Sequence, residues 1–573
     1  MFNQTFSFLP NKENSSFIPV SKDTLFNEEL GYGFVTEENR ANNKSLQIAE
    51  INSAFDVPFW YQGHKLTSIE QDLFGCFLSN RENIPLTFKC SVPNRGNYNV
   101  TICIKTNEQP LKNIMIFTGR RRLAFMGTIG SNETFKKTFT VNVSNIIPRG
   151  FQEVFTDLTI DITVLGLNPR ITSLKVEEIS CPTLYIAGDS TVTDQGGTYP
   201  YKPEHCYSGW GQMLSLYMLP NISLSNHAHS GLTTESFRSE GHYDIVLEAI
   251  KPGDYFLMQF AHNDQKLAHL TSDGGYRTNI LHYIDEIRNL GAYPIIVTPL
   301  ARNTWKGNDG SYNDLLDAYA KECIKIGLET NVPVIDLHKR SLDFIIAHGL
   351  EQSKPYFYPD DYTHTNDYGA CVMARFVAEE CIKTCTDTIF KPLISHLIPC
   401  NYSFYPPATI SNPTPPSHLN VSLEHSPVFS NVERPNDNAT RVDALDFIIK
   451  SIGFFPTNVY NDMFTDVIGH EWFAGTVECA YQNGMIDQAL IMDNQFFPLE
   501  EVTLEVFISL LINALKSRQK LPVPVSCGLE KKASNWCIPY IQLAIQLGFI
   551  DNNADLQRVL TRGEVAQLAS KLR

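Results

Sequence analysis

The stretch LYIAGDSTVTDQGGTYP (residues 184–200) decides how the rest of the chain is read. Leu184, Tyr185, Ile186 and Ala187 form an apolar run that ends on Gly188-Asp189-Ser190-Thr191, where the regular pattern stops. A buried strand ending this way carries a serine hydroxyl to the rim of a sheet, where a nucleophile can sit. A plain turn looks the same, so the neighbours of this segment have to decide.

Working outward from Cys181 to about residue 390, short apolar strands alternate with helical patterns. The strands are LYIA, DYFLMQF, YPIIVTP and VPVIDL. The helices are RTNILHYIDEIRNLG, which stops at Gly291, and LLDAYAKECIKIGLETN, both with apolar residues three and four apart. Strand–helix alternation predicts a parallel sheet covered on both faces. In such sheets the site lies beyond the carboxyl ends of the strands.

Those ends hold a constellation. Ser190 follows the first strand, NHAHSGLTTESFRSEG offers Gly231 in a loop, and FLMQFAHND ends in His262-Asn263-Asp264. Far downstream, YPDDYTHTNDYGA supplies Asp361 and His364, three residues apart. A serine hydroxyl is a poor nucleophile until a base takes its proton, and imidazole does this near neutral pH. The imidazole needs a carboxylate to hold its tautomer, and a tetrahedral oxyanion needs donors fixed in advance. Ser190 is the expected nucleophile, His364 the base and Asp361 the orienting carboxylate. The N–H groups of Ser190 and Gly231 and the amide of Asn263 are the expected oxyanion donors. Gly231 suits a backbone that must approach the substrate closely.

AGDST, SGLTTESF, FAHND and DYTHTNDYGA together resemble the four blocks of the SGNH (GDSL-type) esterases, over roughly residues 181–390. GWGQML (209–214) and VTPLARNTW are similar to the rhamnogalacturonan acetylesterases within that group. The resemblance implies a flavodoxin-like three-layer α/β/α domain, the same five site residues in the same roles, and no metal or other cofactor. One departure stands out: that family's third block usually begins Phe-Gly-His-Asn-Asp, and Ala261 replaces the glycine here. The added methyl is expected to narrow the loop.

Before this domain the pattern has period two. YNVTICIKT sets Tyr98, Val100, Ile102 and Ile104 against Asn99, Thr101, Cys103 and Lys105, and FTVNV and LTIDITV repeat the alternation. Half-buried strands with polar turns between them predict a β-sandwich over 1–180, with a supporting or carbohydrate-binding role. GYGF (31–34) and the segment after it are similar to the amino-terminal module of some bacterial members. After the esterase domain, 391–437 is proline-rich and is expected to be a linker.

Residues 438–573 carry amphipathic helical patterns that resemble S-layer homology repeats. MFTDVIGHEWFAGTVECAYQNGMID holds their Phe-x-Asp-Val, Trp and Ala-x-x-x-Gly features, and NWCIPYIQLAIQLGFID repeats the second half. TRVD (Thr440), TLEV (Thr503) and TRGE (Thr561) stand where the repeats have Thr-Arg-Ala-Glu. Such repeats usually hold cell-wall polymer through the arginines, and Leu504 is expected to cost one of three sites. With that site lost, the repeats are expected to serve as a helical packing module, with cell-wall polymer as a candidate partner.

The 573 residues suit several domains, and the formal net charge of −16 argues against nucleic acid or anionic membrane as main partner. Only GRRR (119–122) is locally basic, and it is expected to be a solvated strand end. No apolar run reaches the roughly 18 residues of a membrane span. The first residues, MFNQTFSFLPNKENSSF, lack a basic region followed by an apolar one, so no signal peptide is read. The thirteen cysteines are scattered and read mostly as small buried apolar side chains in a reducing compartment, with Cys381 and Cys385 as a packed pair. His227 and His229 of NHAH have no evident metal-ligand partners.

The constellation predicts a serine esterase, and the resemblance implies that it removes acetyl groups from pectic polysaccharide or its oligosaccharides. Its expected location is the cytoplasm, with secretion or the cell wall as the alternative. An acyl hydrolase on acetylated xylan or a lipid, and a wall- or glycan-binding protein with a decayed esterase domain, are the competing readings.

Overall fold

The computed structural model describes residues 1–10, 16–35, 69–78, 83–147, 153–198, 200–306, 311–359, 361–407, 432, 434–454, 456, 459–460, 464–467 and 472–572. The chain forms two compact units: Met1–Ala301 with Leu316–Asn412, and Arg302–Leu315 with Pro413–Arg573.

The first unit begins with two antiparallel sheets. Their main strands are β1 (Asn3–Ser7), β2 (Leu86–Ser91), β3 (Gly96–Lys105), β4 (Leu111–Thr118), β5 (Arg122–Ile129), β6 (Thr134–Val143), β7 (Thr159–Leu165) and β8 (Arg170–Ile179). One sheet runs β6-β3-β8-β1 and the other β2-β7-β4-β5. Tyr98, Val100, Ile102 and Ile104 of β3 point into a core that includes Phe88 of β2 and Ile162 of β7. The period-two pattern sets that face.

Strand β7 departs from simple alternation. Asp161 and Thr163, on its polar face, are buried as well, and Lys89 pairs with Asp161 at 2.8 Å. The reason is a second core behind this sheet. Phe117, Leu123, Met126 and Leu165 pack in one cluster with Trp210, Leu214 and Phe376 from downstream. The period changes at residue 181, but the packing continues across it.

A five-stranded parallel sheet follows: β9 (Thr183–Gly188), β10 (Ser223–Asn226), β11 (Tyr255–Gln259), β12 (Tyr293–Val297) and β13 (Val334–Ile335), in the order β10-β9-β11-β12-β13. Helices α1 (Trp210–Leu214), α2 (His242–Ala249), α3 (Gly275–Asn289), α4 (Asp317–Thr330), α5 (Leu337–Ser353) and α6 (Asp367–Thr384) accompany it. Leu184 and Ile186 of β9 join a core with α1 and α6 residues, while Tyr185 and Ala187 join another with α2, α3 and α4 residues. The sheet is therefore apolar on both faces, as the continuous apolar runs require. The half-polar SLSN of β10 was too short to read as a strand. Helix α3 buries Tyr276, Ile280, Tyr283, Ile284 and Ile287 and ends at Gly291, φ +74°. There the N–H of Gly291 bonds Arg288 O and that of Ala292 bonds Ile287 O, the hydrogen-bond pair of a Schellman stop.

Two expectations change. Arg121 of GRRR is fully buried and Arg122 pairs with Asp194 at 2.7 Å, because the β4–β5 turn points into the unit and not into solvent. The stretch expected as linker from 391 starts within the packed unit: Leu393 and Leu397 are buried, and the rings of Phe404 and Tyr368 lie 4.6 Å apart. Residues 408–431 of that stretch lie outside the described residues. Cys381 and Cys385 are buried with their sulfurs 3.7 Å apart. Among the described residues no helix is long and apolar enough to cross a membrane.

In the second unit the helices are α7 (Arg441–Ser451), α8 (Ala474–Gln482), α9 (Leu504–Lys516), α10 (Ile538–Gln546) and α11 (Arg562–Ser570). Three backbone bonds close a ring: Ala439 N–H to Leu560 O, Leu560 N–H to Val502 O, and Val502 N–H to Ala439 O. Thr440, Thr503 and Thr561 then cap α7, α9 and α11, which makes Arg441, Leu504 and Arg562 equivalent first residues. Asp443 and Glu564 complete capping boxes in two of the three copies. The third position holds Val506, and Thr503 makes no side-chain cap bond.

Candidate active site

The strand order puts the switch point between β9 and β11, where the chain leaves the sheet in opposite directions. Gly188 ends β9, so Ser190 emerges there. Thr191 directly behind it is buried; its N–H and hydroxyl both donate to Asp189 Oδ1, at 2.9 and 2.8 Å. Gln259 at the end of β11 donates from Nε2 to Thr191 Oγ1 at 2.6 Å and accepts from Trp210 Nε1 at 2.7 Å. Gly209 and Gly211 flank Trp210 because a Cβ at either would strike the backbone of Val192. The turn under Ser190 is therefore held by a buried polar relay.

Ser190 Oγ lies 2.7 Å from His364 Nε2, and His364 Nδ1 lies 2.6 Å from Asp361 Oδ2. Asp361 Oδ1 accepts the N–H groups of Thr363 and His364 at 2.8 and 2.9 Å, so both its oxygens are engaged. Burial alone would raise the Asp361 carboxyl, but the His364 imidazole and these N–H donors hold it below the ordinary aspartate range. With Nδ1–H turned to the carboxylate, Nε2 is left to accept the serine proton.

The loops carrying Gly231 and Asn263 come together at the same rim. His229 N–H bonds Gly188 O at 3.1 Å, which brings the Gly231 loop to β9. Gly231 has φ +89° and is exposed, with no atom near where a Cβ would point. Asn263 donates from Nδ2 to Leu232 O at 3.1 Å. Asp264, fully buried, accepts the N–H and hydroxyl of Thr234 at 2.9 and 2.6 Å and the N–H of Ala261 at 3.1 Å.

Ala261 adopts φ +122°, a region that favours glycine. The cost of the alanine is thus backbone strain, in addition to the expected methyl bulk. The turn drives His262 inward. Its Nε2 donates to Leu300 O at 2.9 Å, and its Nδ1 faces Asp189 Oδ2 at 3.3 Å. Burial would raise Asp189, yet His262 and Thr191 hold it below the ordinary range.

Ser190, His364 and Asp361 form one hydrogen-bonded line at a sheet rim, with Asn263 and Gly231 on adjoining loops, and residues 186–370 match the GDSL-like lipase/acylhydrolase family. The rhamnogalacturonan acetylesterase RhgT of Bacillus subtilis (strain 168) is 34% identical over 38% of this chain and 94% of its own length. The chain belongs to the GDSL-like lipase/acylhydrolase family. It is a carboxylic ester hydrolase. The probable rhamnogalacturonan acetylesterase YesY of the same organism is 34% identical over 34% of this chain and 90% of its own. The uncharacterized esterase YxiM, also from Bacillus subtilis, is 25% identical over 65% of this chain and 89% of its own.

Sequence reasoning missed several groups of this GDSL-like hydrolase site: Gln259, Asp189, His262 and Asp264. A glutamine closing an otherwise apolar strand was the available signal for Gln259. Asp189, His262 and Asp264 stand inside the AGDST and FAHND blocks, but what they do depends on contacts across loops, His262 with Leu300 and Asp264 with Thr234. His227 and His229 line a cavity with Arg122, Asp194 and Ser230. Burial first, then Arg122 and His242, push His227 down to about 3, so it is neutral near pH 7. Among the described residues no cluster of three or more His, Cys, Asp or Glu is arranged to hold a metal ion.

Proposed function

We propose that this esterase removes O-acetyl groups from a carbohydrate, and specifically from rhamnogalacturonan or its oligosaccharides. The observation that carries the chemistry is the 2.7 Å contact of Ser190 with an imidazole held at 2.6 Å by Asp361. His364 Nε2 takes the hydroxyl proton as Ser190 Oγ bonds to the acetyl carbon. The N–H groups of Ser190 and Gly231 and the Asn263 amide receive the oxyanion. The bond from the acetyl carbon to the sugar oxygen then breaks with the proton passing from His364 to that oxygen, which leaves an acetyl-serine that water opens by the same steps to release acetate. The choice of sugar is supported by the names of the two relatives that are 34% identical.

In this reading the two antiparallel sheets are a β-sandwich that supports the esterase, and the second unit is an S-layer homology-like domain. The three threonine-led helix starts around one backbone ring support that second assignment, with cell-wall polymer as its partner.

Acetate release from acetylated rhamnogalacturonan, acetylxylan and p-nitrophenyl acetate tests the proposal. The pectic substrate should be fastest, and Ser190→Ala should abolish release and labelling by an organophosphonate. Faster release from acetylxylan would overturn the pectic assignment. Full activity in Ser190→Ala would overturn the mechanism. Separately, the full chain should pellet with isolated cell walls; a full chain that stays in solution overturns the wall-binding role.

A further inference from the structure

Arg121 is the one basic side chain among the described residues that is wholly buried at the tip of a turn, and nothing in the proposed chemistry uses it. The turn between β4 and β5 places it: Gly119 and Arg121 have φ +47° and +55°, and the Arg121 N–H closes back on Gly119 O at 2.8 Å. The side chain leaves the two-sheet region and ends behind the catalytic loops. Its Nε donates to Gln195 O at 3.3 Å, and Nη2 donates to Tyr207 O at 2.6 Å and Gln212 Oε1 at 3.3 Å. Its Nη1 donates to Asp367, which also accepts the Tyr201 hydroxyl at 2.6 Å.

Each partner leads to the site. Gln195 donates from its side chain to Ser230 Oγ at 3.0 Å, next to Gly231. Tyr207 lays its ring flat on Tyr358 at 3.7 Å and meets the His364 ring edge-on at 5.7 Å. Asp367 opens α6 three residues after His364, and the segment between is tied to the Tyr207 segment by Ser208 N–H to Thr365 O at 3.0 Å and Thr365 Oγ1 to Ser208 O at 2.7 Å. Gln212 completes the brace by donating to the carbonyls of Arg120 and Gln195 at 2.9 and 2.8 Å.

We propose that Arg121, delivered by the amino-terminal sheets, is a positioning residue for ester hydrolysis that fixes the oxyanion loop and the base loop relative to one another. A planar guanidinium can bond acceptors on three segments at once, which an ammonium on a flexible stem cannot reproduce. The two-sheet region thereby acts in catalysis and not only as a neighbour of the esterase fold. The inference rests on the Ser190–His364 reading of the site.

The test uses the full chain with p-nitrophenyl acetate, reading kcat and KM separately, the rate of organophosphonate labelling of Ser190, and the melting temperature. Arg121→Met should lower kcat and the labelling rate about 10²-fold, the scale for a small misplacement of catalytic groups, with KM within about twofold. Arg121→Lys keeps a charge for Asp367 but loses the fork. It should remain folded, melt within a few degrees of the parent, and recover only part of kcat. Should Arg121→Met fail to fold, the Lys variant decides alone: kcat at least about tenfold below the parent supports the positioning role. A folded variant with lowered melting temperature but parental kcat and labelling rate overturns it. Ser190→Ala run alongside separates the two ideas: an active Ser190→Ala protein sinks the site reading, whereas an inactive one beside fully active Arg121 variants sinks only this inference.

Discussion

Asn263 Nδ2 lies 3.1 Å from the carbonyl oxygen of Leu232, the residue after Gly231. One amide hydrogen is thus committed to the neighbouring loop, which fixes the plane of the amide and leaves the second hydrogen for the oxyanion of the proposed mechanism. Asn263→Ala should lower kcat by roughly 10²- to 10³-fold with little change in KM, the scale for losing one preorganised donor. Steady-state kinetics on p-nitrophenyl acetate check this. A rise in KM alone would make Asn263 a substrate-binding residue instead.

Ala261 holds φ +122° in a buried turn. Such backbone costs about 1–3 kcal/mol for a residue with a Cβ, against about 0.5–1 kcal/mol of extra chain entropy lost by glycine. Ala261→Gly should therefore raise stability by about 1 kcal/mol and leave the Ser190 chemistry in place. Urea denaturation should show a higher midpoint with unchanged slope. A lower midpoint would mean that the buried methyl outweighs the strain.

The three threonine caps of the second unit differ in what they do. Thr440→Ala and Thr561→Ala each remove a complete capping box and should cost about 1 kcal/mol. Thr503→Ala removes no side-chain cap bond and should cost no more than a few tenths. Thermal unfolding of the three variants, followed on the transition of this unit, ranks them. Equal losses would show that Thr503 contributes through some other contact.

Asp361 and Asp189 are both held below the ordinary aspartate value. Unfolded aspartate titrates near 3.9, so the stability these groups contribute is complete above about pH 5 and lost as pH falls through their lower folded values. Asp361→Asn should be less stable near neutral pH yet show a shallower decline between about pH 5 and pH 2. Chemical denaturation across that range measures the slope. An unchanged slope would mean that Asp361 titrates alike in the folded and unfolded chain.

The sequence alone determined the properties that depend on short stretches of chain. Apolar runs ending on polar residues marked β9, β11 and the loops after them, because side-chain periodicity and the end of a strand are local features. The same holds for β3, for α3 with its stop at Gly291, and for the Thr-x-x-acid starts of α7 and α11. Ser190, His364, Asp361, Gly231 and Asn263, the residues proposed for the site, could be singled out because each stands at such a boundary in a short recurring block. Tertiary structure alone decided whatever needs partners far along the chain. Arg121 reads as a solvated cation until Gln195, Tyr207 and Asp367 surround it with acceptors. Asp161 reads as solvent-facing until a second core covers its sheet, and residues 391–404 read as linker until their apolar side chains find that core. Ala261 reads only as a methyl that narrows its loop until the turn that aims His262 inward gives it a positive φ. Burial and backbone strain at these positions are set by what packs against them, and no window of neighbouring residues contains that information.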